Sequence, residues 1–333
     1  MKVSVLIASY NHERYIEDAI ESVLGQTLQD FEIVLIDDCS QDRTFEFASR
    51  IADPRIVCAR AVHNRGTSAT YNDCIARARG EYVAVLNSDD FYHPDKLRQQ
   101  AALLDAKREV AAVFSHAELV DEAGATRPRD RYPNTFYQPN CSRHAWLRKF
   151  FFEGNSLCHP SAMVRKEVHR EVGVYDPRYG QIHDLDLWIR ICLKHPIHVI
   201  QAPLTYFRLR DNSANANNAS PDTLARIAWE YDHVIRRYLE LSSWDDFMAV
   251  FPESTADPRS WDAAAQRNEL AKMALGVPNL AHRRLALESM HDLFGELGAD
   301  TVERRFGLSL GRFLRMTGEL GLVKAQVVAA RAH

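Results

Sequence analysis

Up to Asp90, four short polar runs each follow an apolar stretch: Ser9-Tyr10-Asn11, Asp37-Asp38-Cys39-Ser40, Asn64-Arg65-Gly66 and Asn87-Ser88-Asp89-Asp90. Carboxylates gathered around an aromatic ring suit a base, a ribose and a metal-bound phosphate. The ring stacks, the carboxylates accept hydrogen bonds, and their hard oxygens ligate Mg²⁺ or Mn²⁺. A metal so placed would neutralise a diphosphate leaving group. Taken singly, each run has a plain structural account. Asp37-Asp38 can begin a turn, Asp89-Asp90 can cap a helix, and a lone tyrosine packs more often than it stacks. Recurrence at four successive strand ends is what favours a site.

For these runs to share a place, the elements before them must lie side by side. Val3 to Ala8 is a nearly continuous apolar run, as in a strand buried on both faces. Ile16, Ala19, Ile20, Val23 and Leu24 then fall at helical spacing, with Asn11 as cap and Gly25 as stop. Strands are expected at Phe31–Ile36, Ile56–Ala59 and Tyr82–Leu86, and helices at Thr44–Ile51, over 68–79 and from Pro94 onward. This alternation implies an α/β fold, a mostly parallel central sheet flanked by helices. Ligands of such sheets bind beyond the carboxyl ends of the strands, where the four runs fall.

Further on, Val110–Val120 reads as a strand pair or one long strand, 121–141 as a long loop, Ser142–Phe152 as a helix, and Ser161–Val164 as a strand. Asp184–Leu193 reads as a helix and His198–Leu209 as a strand. The polar stretch 211–220 is the expected mobile loop and boundary. Beyond it only helical periods occur, over 222–240, 261–275, 280–298 and 303–330, so the C-terminal extension is expected to be all-helical. This division gives residues 1–215 as a catalytic domain and 216–333 as a helical region.

The bulk numbers exclude several classes. A net charge of −4 over 333 residues argues against nucleic acid as a partner. Six widely spaced cysteines without a CxxC pair suit neither a zinc site nor a disulfide framework, and fit a reducing compartment. No apolar run reaches the ~20 residues of a membrane span, and Met1–Ile7 reads as a strand rather than a signal peptide. A cytoplasmic protein is expected, soluble or peripheral on the cytoplasmic membrane face. Arg304, Arg305, Arg312, Arg315, Lys324 and Arg331 lie beside Phe306, Leu310, Phe313, Leu314, Leu320 and Leu322. Such a basic amphipathic segment can rest on an anionic membrane, pack on its own domain, or join two subunits.

The stretches VSVLIASYNHERYIEDAIESVLGQT, FEIVLIDDCSQDRT, NRGTSATYNDCIARARGEYVAVLNSDD and HPDKL resemble family 2 glycosyltransferases of the Rossmann-like GT-A fold. CHPSAMVRKEVHREVGVYDPRYGQIHDLDLWIRI is similar to that family's acceptor-side segment. The resemblance runs to about residue 210 and leaves the helical tail outside. It implies an inverting transferase that moves a sugar from a nucleotide-diphosphate donor, by family tendency a UDP-sugar. The acceptor would be a hydroxyl of a glycan or lipid-linked acceptor, in bacterial-type polysaccharide or glycoconjugate assembly. Tyr10 would stack on the base between Ser9 and Asn11, Asp38 would bind the base edge, and Asp37 would hold the strand end or the ribose. Asn64, Arg65 and Gly66 would line the donor pocket. Asn87-Ser88-Asp89 occupies the family's DxD position, with Asn87 in place of its first aspartate. Asp89 and Asp90 remain to ligate Mn²⁺ or Mg²⁺, and the resemblance leaves open which of the two carboxylates is the ligand. Asp184 takes the place of the general base, although a carboxylate there is also an ordinary helix cap. His183 stands where relatives carry Glu. His159 and His183 are candidate acceptor contacts, and Arg208 and Arg210 candidate diphosphate contacts.

Other readings are weaker. A nucleotidyltransferase would carry a glycine-rich basic loop after the first strand, and Ser9-Tyr10-Asn11-His12-Glu13 has neither glycine nor lysine. No GxGxxG follows any strand, which disfavours a dinucleotide oxidoreductase. A catalytically degenerate family member that binds a nucleotide or a partner draws support only from Asn87 and His183.

Overall fold

A computed structural model of the chain describes residues 1–128, 136–210 and 220–319. It divides into two compact units, Met1–Ile227 and Ala228–His333. The expected loop at 211–220 therefore lies outside the described residues up to position 219.

In the first unit, eight strands form one sheet. They are β1 (Val3–Ser9), β2 (Phe31–Asp37), β3 (Ile56–Arg60), β4 (Tyr82–Asn87), β5 (Phe91–Tyr92), β6 (Ala112–Val120), β7 (Met163–Arg165) and β8 (Ile197–Arg208). Their order is β3-β2-β1-β4-β7-β6-β8-β5. Strands β1 to β4 are mutually parallel, as is the pair β6 and β8. β7 runs antiparallel to both β4 and β6, and β5 antiparallel to β8. The mostly parallel sheet expected from the alternation is present.

The flanking helices are α1 (Ile16–Leu24), α2 (Thr44–Arg50), α3 (Thr67–Arg77), α4 (Lys96–Ala106), α5 (Arg143–Glu153), α6 (Val168–Val172) and α7 (His183–Lys194). Helix α1 buries Ile16, Ala19, Ile20 and Val23 against the sheet. Its partners there include Val3, Val5, Ile7, Ile33 and Leu35. Each Ile, Val or Leu among them stabilises the fold by about 1.5–3 kcal/mol.

Several local expectations are corrected. Asn11 does not cap α1, which begins five residues later after Tyr15. Asn11 instead takes a left-handed conformation, φ 54°, that Asn tolerates better than most residues. Val110–Val120 is one strand, not a pair, because its partner is the distant β8. Ser161 closes a 3₁₀ turn at His159–Ser161, and the strand starts only at Met163. Ser142 does cap α5, accepting from the Ala145 amide.

In the second unit every described element is helical. After α8 (Pro221–Val234), which crosses the division, come α9 (Trp244–Val250), α10 (Ala263–Leu275), α11 (Leu280–Leu297), α12 (Ala299–Phe306) and α13 (Leu310–Gly318). The helix expected over 303–330 is broken, because Gly307 adopts φ 67° and Ser309 starts a new helix by capping the Arg312 amide. Lys324 and Arg331 lie outside the described residues. Phe313 packs on Phe294, while Leu310 and Leu314 are exposed.

The close approach of β1 to the turn before β4 depends on Gly80. A Cβ there would lie 2.5 Å from the Ser4 amide nitrogen and 2.8 Å from Ser4 Oγ. Ser4 Oγ also accepts from the Gly80 amide and donates to buried Glu32. Gly80→Ala is therefore expected to cost about 1–3 kcal/mol, read as a lower midpoint in urea unfolding. An unchanged midpoint would contradict this packing.

Candidate active site

Sheet register brings the polar runs together. Ser9 pairs with Asp37, Ala8 with Asn87, and Asp37 with Arg60, so the carboxyl ends of β1 to β4 form one edge. Ser9 Oγ donates to Asp37 Oδ1 at 3.3 Å. Asp37 is fully buried, accepts from the amide and hydroxyl of Ser40, and faces Arg60 at 3.4 Å. It holds the strand end. Asp38 accepts from the amides of Arg65 and Gly66 at 2.9 and 2.8 Å. That carboxylate fastens the third polar run to the second. Gly66 sits at φ 84°, and Asn64 Oδ1 also accepts from its amide. Arg65 pairs with Asp73.

Asn11 Oδ1 accepts from the Gln41 amide, and the Asn11 amide donates to Ser40 Oγ, which couples the first loop to the second. Cys39 also takes a left-handed conformation, φ 64°. Two non-glycine residues in that region within one loop pair is strain of the kind found at functional sites. Tyr10 is 42% exposed beside these loops, a ring available for stacking.

At the end of β4 the four residues divide their work. Asn87 donates to Asp90 Oδ2 at 2.9 Å and accepts from the Tyr71 hydroxyl at 3.1 Å. An aspartate at 87 would face Asp90 without a proton to donate, which gives the asparagine a physical reason. Asp90 is 1% exposed and accepts from the Arg208 amide at 2.7 Å. Burial, then the neighbouring Asp89 charge, push its pKa well up. Asp89 lies nearer the surface, with Arg210 Nε 3.1 Å from its Oδ2. Ser88 Oγ contacts His12 Nδ1 at 2.7 Å. Arg208 is 1% exposed. Its guanidinium donates to the Asp89 and Glu122 carbonyls and to Asp18.

The residues expected to serve an acceptor gather at the start of α7. Ile182 occupies the cap position and no side chain caps this helix. Asp184 is thus not spent as a cap. It accepts from Asn155 Nδ2 at 2.7 Å and from the Leu185 amide at 2.8 Å. Its carboxylate keeps some solvent access, yet the protein packed around it desolvates the charge and raises its pKa from 3.8 to about 6. The other α7 aspartate, Asp186, is buried and paired with Arg190. Arg190 also donates to the carbonyls of Val172 and Val174.

Below Asp184 lies a layer of rings. His159 Nε2 contacts the Tyr175 hydroxyl at 2.9 Å. His183 stands edge-on to His159 and Tyr175, at 5.2 and 5.4 Å between centroids. Tyr71 packs on both His159 and Tyr175 and reaches Asn87. Burial lowers the His183 pKa to about 4 and that of His159 well below its usual value, so both rings are neutral near pH 7. Neither nitrogen of His183 has a hydrogen-bond partner among the described residues.

Sequence reasoning passed over His12, Asn155 and the Asp186–Arg190 pair. No spacing rule singles out His12 within its loop, and Asn155 meets Asp184 from 29 positions away. Asp186 and Arg190 did carry a signal, an i,i+4 pair of opposite charge.

The Asp184 shift has a stability consequence of definite sign. Its folded pKa is raised, so its contribution is full below about pH 4 and is lost as pH rises through about 6. At pH 8 the folded protein carries a poorly solvated charge. Asp184→Asn should therefore melt higher than the parent at pH 8, with the gap closing below pH 5. Calorimetry at the two pH values checks this, and a variant less stable at pH 8 would refute it.

Residues 4–173 match Glycosyl transferase family 2. The chain is 36% identical over 246 residues to the Bacillus subtilis glycosyltransferase TuaG, provisionally assigned to teichuronic acid biosynthesis, covering 73% of this chain and 92% of that one. It is 30% identical over 217 residues to the uncharacterised glycosyltransferase MJ1057 of Methanocaldococcus jannaschii, covering 63% and 72%. The uncharacterised Rickettsia typhi glycosyltransferase RT0329, 28% identical over 214 residues, is matched over 63% of this chain and 64% of its own length. Among solved structures, Staphylococcus aureus TarS 1-349 in complex with UDP-GlcNAc shares the fold at a TM-score of 0.57 and 18% identity, covering 92% of each chain. With the family's region spanning β1 to α6 and carrying the polar strand ends, the chain belongs to glycosyltransferase family 2.

Proposed function

We propose that the protein transfers a sugar, with inversion, from a UDP-sugar to a hydroxyl of a glycan or lipid-linked acceptor in bacterial-type polysaccharide assembly. One observation carries the mechanism. Asp184 keeps its carboxylate from capping or ion pairing, with a pKa near 6, and the ring layer beside it reaches Asn87 at the donor edge. A base with that pKa works efficiently near neutral pH. TarS, a structural neighbour, is in complex with UDP-GlcNAc, which supports a UDP-sugar donor. The similarity to TuaG supports a polysaccharide product.

In this reading Tyr10 stacks on uracil, flanked by Ser9 and Asn11, while Asp37 and Asp38 shape the base and ribose pocket with Asn64, Arg65 and Gly66. The residues at the end of β4 fit a divalent cation, Mn²⁺ or Mg²⁺, because Asp89 offers a hard oxygen that already attracts a cationic group, Arg210. Asp90 is enclosed by Asn87 and Arg208, so Asp89 is the ligand and Asp90 its support. When bound, the metal supplies charge neutralisation of the departing diphosphate. Asp184 takes the proton of the acceptor hydroxyl as its oxygen bonds to the anomeric carbon. The bond from that carbon to the diphosphate oxygen breaks, and UDP leaves. The neutral rings of His159 and His183 back Asp184 on the acceptor side, and Arg210 meets the phosphates.

Asp184→Asn is expected to lower transfer by at least about a hundredfold while UDP binding persists, and the parent kcat should fall on the acid side of about pH 6. Tyr10→Ala should weaken UDP binding with little change in kcat. Incubation with a panel of UDP-sugars and Mn²⁺ separates two readings. Turnover, including slow hydrolysis of the donor, supports the transferase, whereas binding without any turnover identifies a degenerate nucleotide-binding module.

No helix among the described residues is long and apolar enough to cross a membrane. On α13, exposed Leu310 and Leu314 accompany exposed Arg312 and Arg315. This face supports a peripheral contact with an anionic cytoplasmic membrane surface rather than self-association. Anionic vesicles should sediment the protein, and Leu314→Glu should release it; equal sedimentation would exclude this face.

A further inference from the structure

The loop after β1 carries an imidazole to which nucleotide binding assigns no part. His12 is mostly buried, and its two ring nitrogens have different partners. Nε2 lies 2.9 Å from Arg210 Nη1, and Nδ1 lies 2.7 Å from Ser88 Oγ. A guanidinium only donates. Nε2 therefore accepts, and the ring proton sits on Nδ1, where it is donated to Ser88 Oγ. The Ser88 hydroxyl in turn donates to the Ala8 carbonyl at 3.2 Å. Each proton in this relay has an acceptor, so the tautomer and the direction of the Nε2 lone pair are both set. A second partner that takes the N–H of a histidine and leaves the other nitrogen bare is how metal-ligating histidines are oriented.

The accepting nitrogen faces the carboxylate already read as the metal ligand. His12 Nε2 is 3.9 Å from Asp89 Oδ2. Two ligands on one Mg²⁺ or Mn²⁺, each at about 2.1 Å, cannot stand more than about 4.2 Å apart. The present separation falls inside that limit. A single cationic group already joins them, since Arg210 presents Nη1 to Nε2 and Nε to Oδ2, the latter at 3.1 Å.

We propose that His12 Nε2 and Asp89 Oδ2 together ligate the divalent cation that accompanies the donor diphosphate, and that Arg210 holds their place until the cation arrives. The proposal rests on the metal-assisted reading above. It adds a nitrogen ligand from the β1 loop and a competitor from the end of β8. Displaced from this pair, the Arg210 guanidinium is released next to phosphate oxygens, which it suits. A nitrogen ligand also favours Mn²⁺ over Mg²⁺, because Mg²⁺ prefers an all-oxygen shell.

The test uses the whole chain with Mn²⁺ alone and with Mn²⁺ plus UDP. Pulsed electron paramagnetic resonance of the parent protein should show one directly coordinated ¹⁴N, absent in His12→Gln and retained in His159→Gln. His12→Ala should weaken Mn²⁺ binding by about ten- to a hundredfold. Arg210→Gln should tighten Mn²⁺ binding without nucleotide by about tenfold, because a competing charge is removed. Manganese bound in an Asp89-dependent way without nitrogen coupling overturns the ligand assignment and leaves the metal-assisted reading standing. Unchanged or weaker binding in Arg210→Gln overturns the place-holding role. Binding that survives Asp89→Asn, or no binding at all with or without UDP, defeats the metal-assisted reading itself. The parent spectrum decides the central point even where a His12 variant folds poorly.

Discussion

Asp90 is a carboxylate shut away from water at the end of β4, and the surrounding loops are arranged to satisfy it. The Arg208 amide donates to one oxygen and the Asn87 amide group to the other. The guanidinium of the same Arg208 then runs back under the site to the Asp89 and Glu122 carbonyls and to Asp18 of α1. One buried acid thereby ties β4 to β8, strands that are not neighbours in the sheet. Breaking a buried network of this kind costs about 3–5 kcal/mol, because whatever is left unpaired stays out of solvent. The place of Asp89, whose carbonyl Arg208 grips, follows from that network.

The two halves of the site are tuned differently. At the ends of β1 to β4 the carboxylates are bound by amides and guanidinium groups, which offset their charge. At the start of α7 the rings are neutral because burial strips them of protons, and Asp184 holds its proton more strongly than an exposed aspartate. A carboxylate with a pKa near 6 is mostly ionised at neutral pH, and that ionised form is able to accept a hydroxyl proton. Tyr71 belongs to both environments, with its ring on His159 and its hydroxyl on Asn87.

Strand β7, expected at Ser161–Val164 and found at Met163–Arg165, shows that elements of the irregular half were legible while their bounds were not. Its three residues carry no alternation and no length, and it exists because β4 and β6 each offer it an edge. The two residues of β5 are strand only because β8 pairs with them. The break at Gly307 divides a helical period that runs on unbroken in the side chains, since periodicity reports the buried face and not the backbone conformation between turns.

Local chemistry was enough to make the first four strands legible. Apolar runs buried on both faces, punctuated by helices of short reach, leave few arrangements besides a parallel sheet, and that sheet puts Ser9, Asp37 and Asn87 on one edge. The ordered motifs then pointed to the family. Which aspartate at the end of β4 is enclosed and where His12 turns were beyond such reading. Asp184 differs from Asp186 only because Arg190 claims the latter, and Asp89 differs from Asp90 only because Arg208 and Asn87 close over one of them. Burial sets these differences together with partners both near, as Arg190 is to Asp186 and Asn87 to Asp90, and far, as Arg208 is to Asp90 across 118 positions, and neither property is written in a residue's own type.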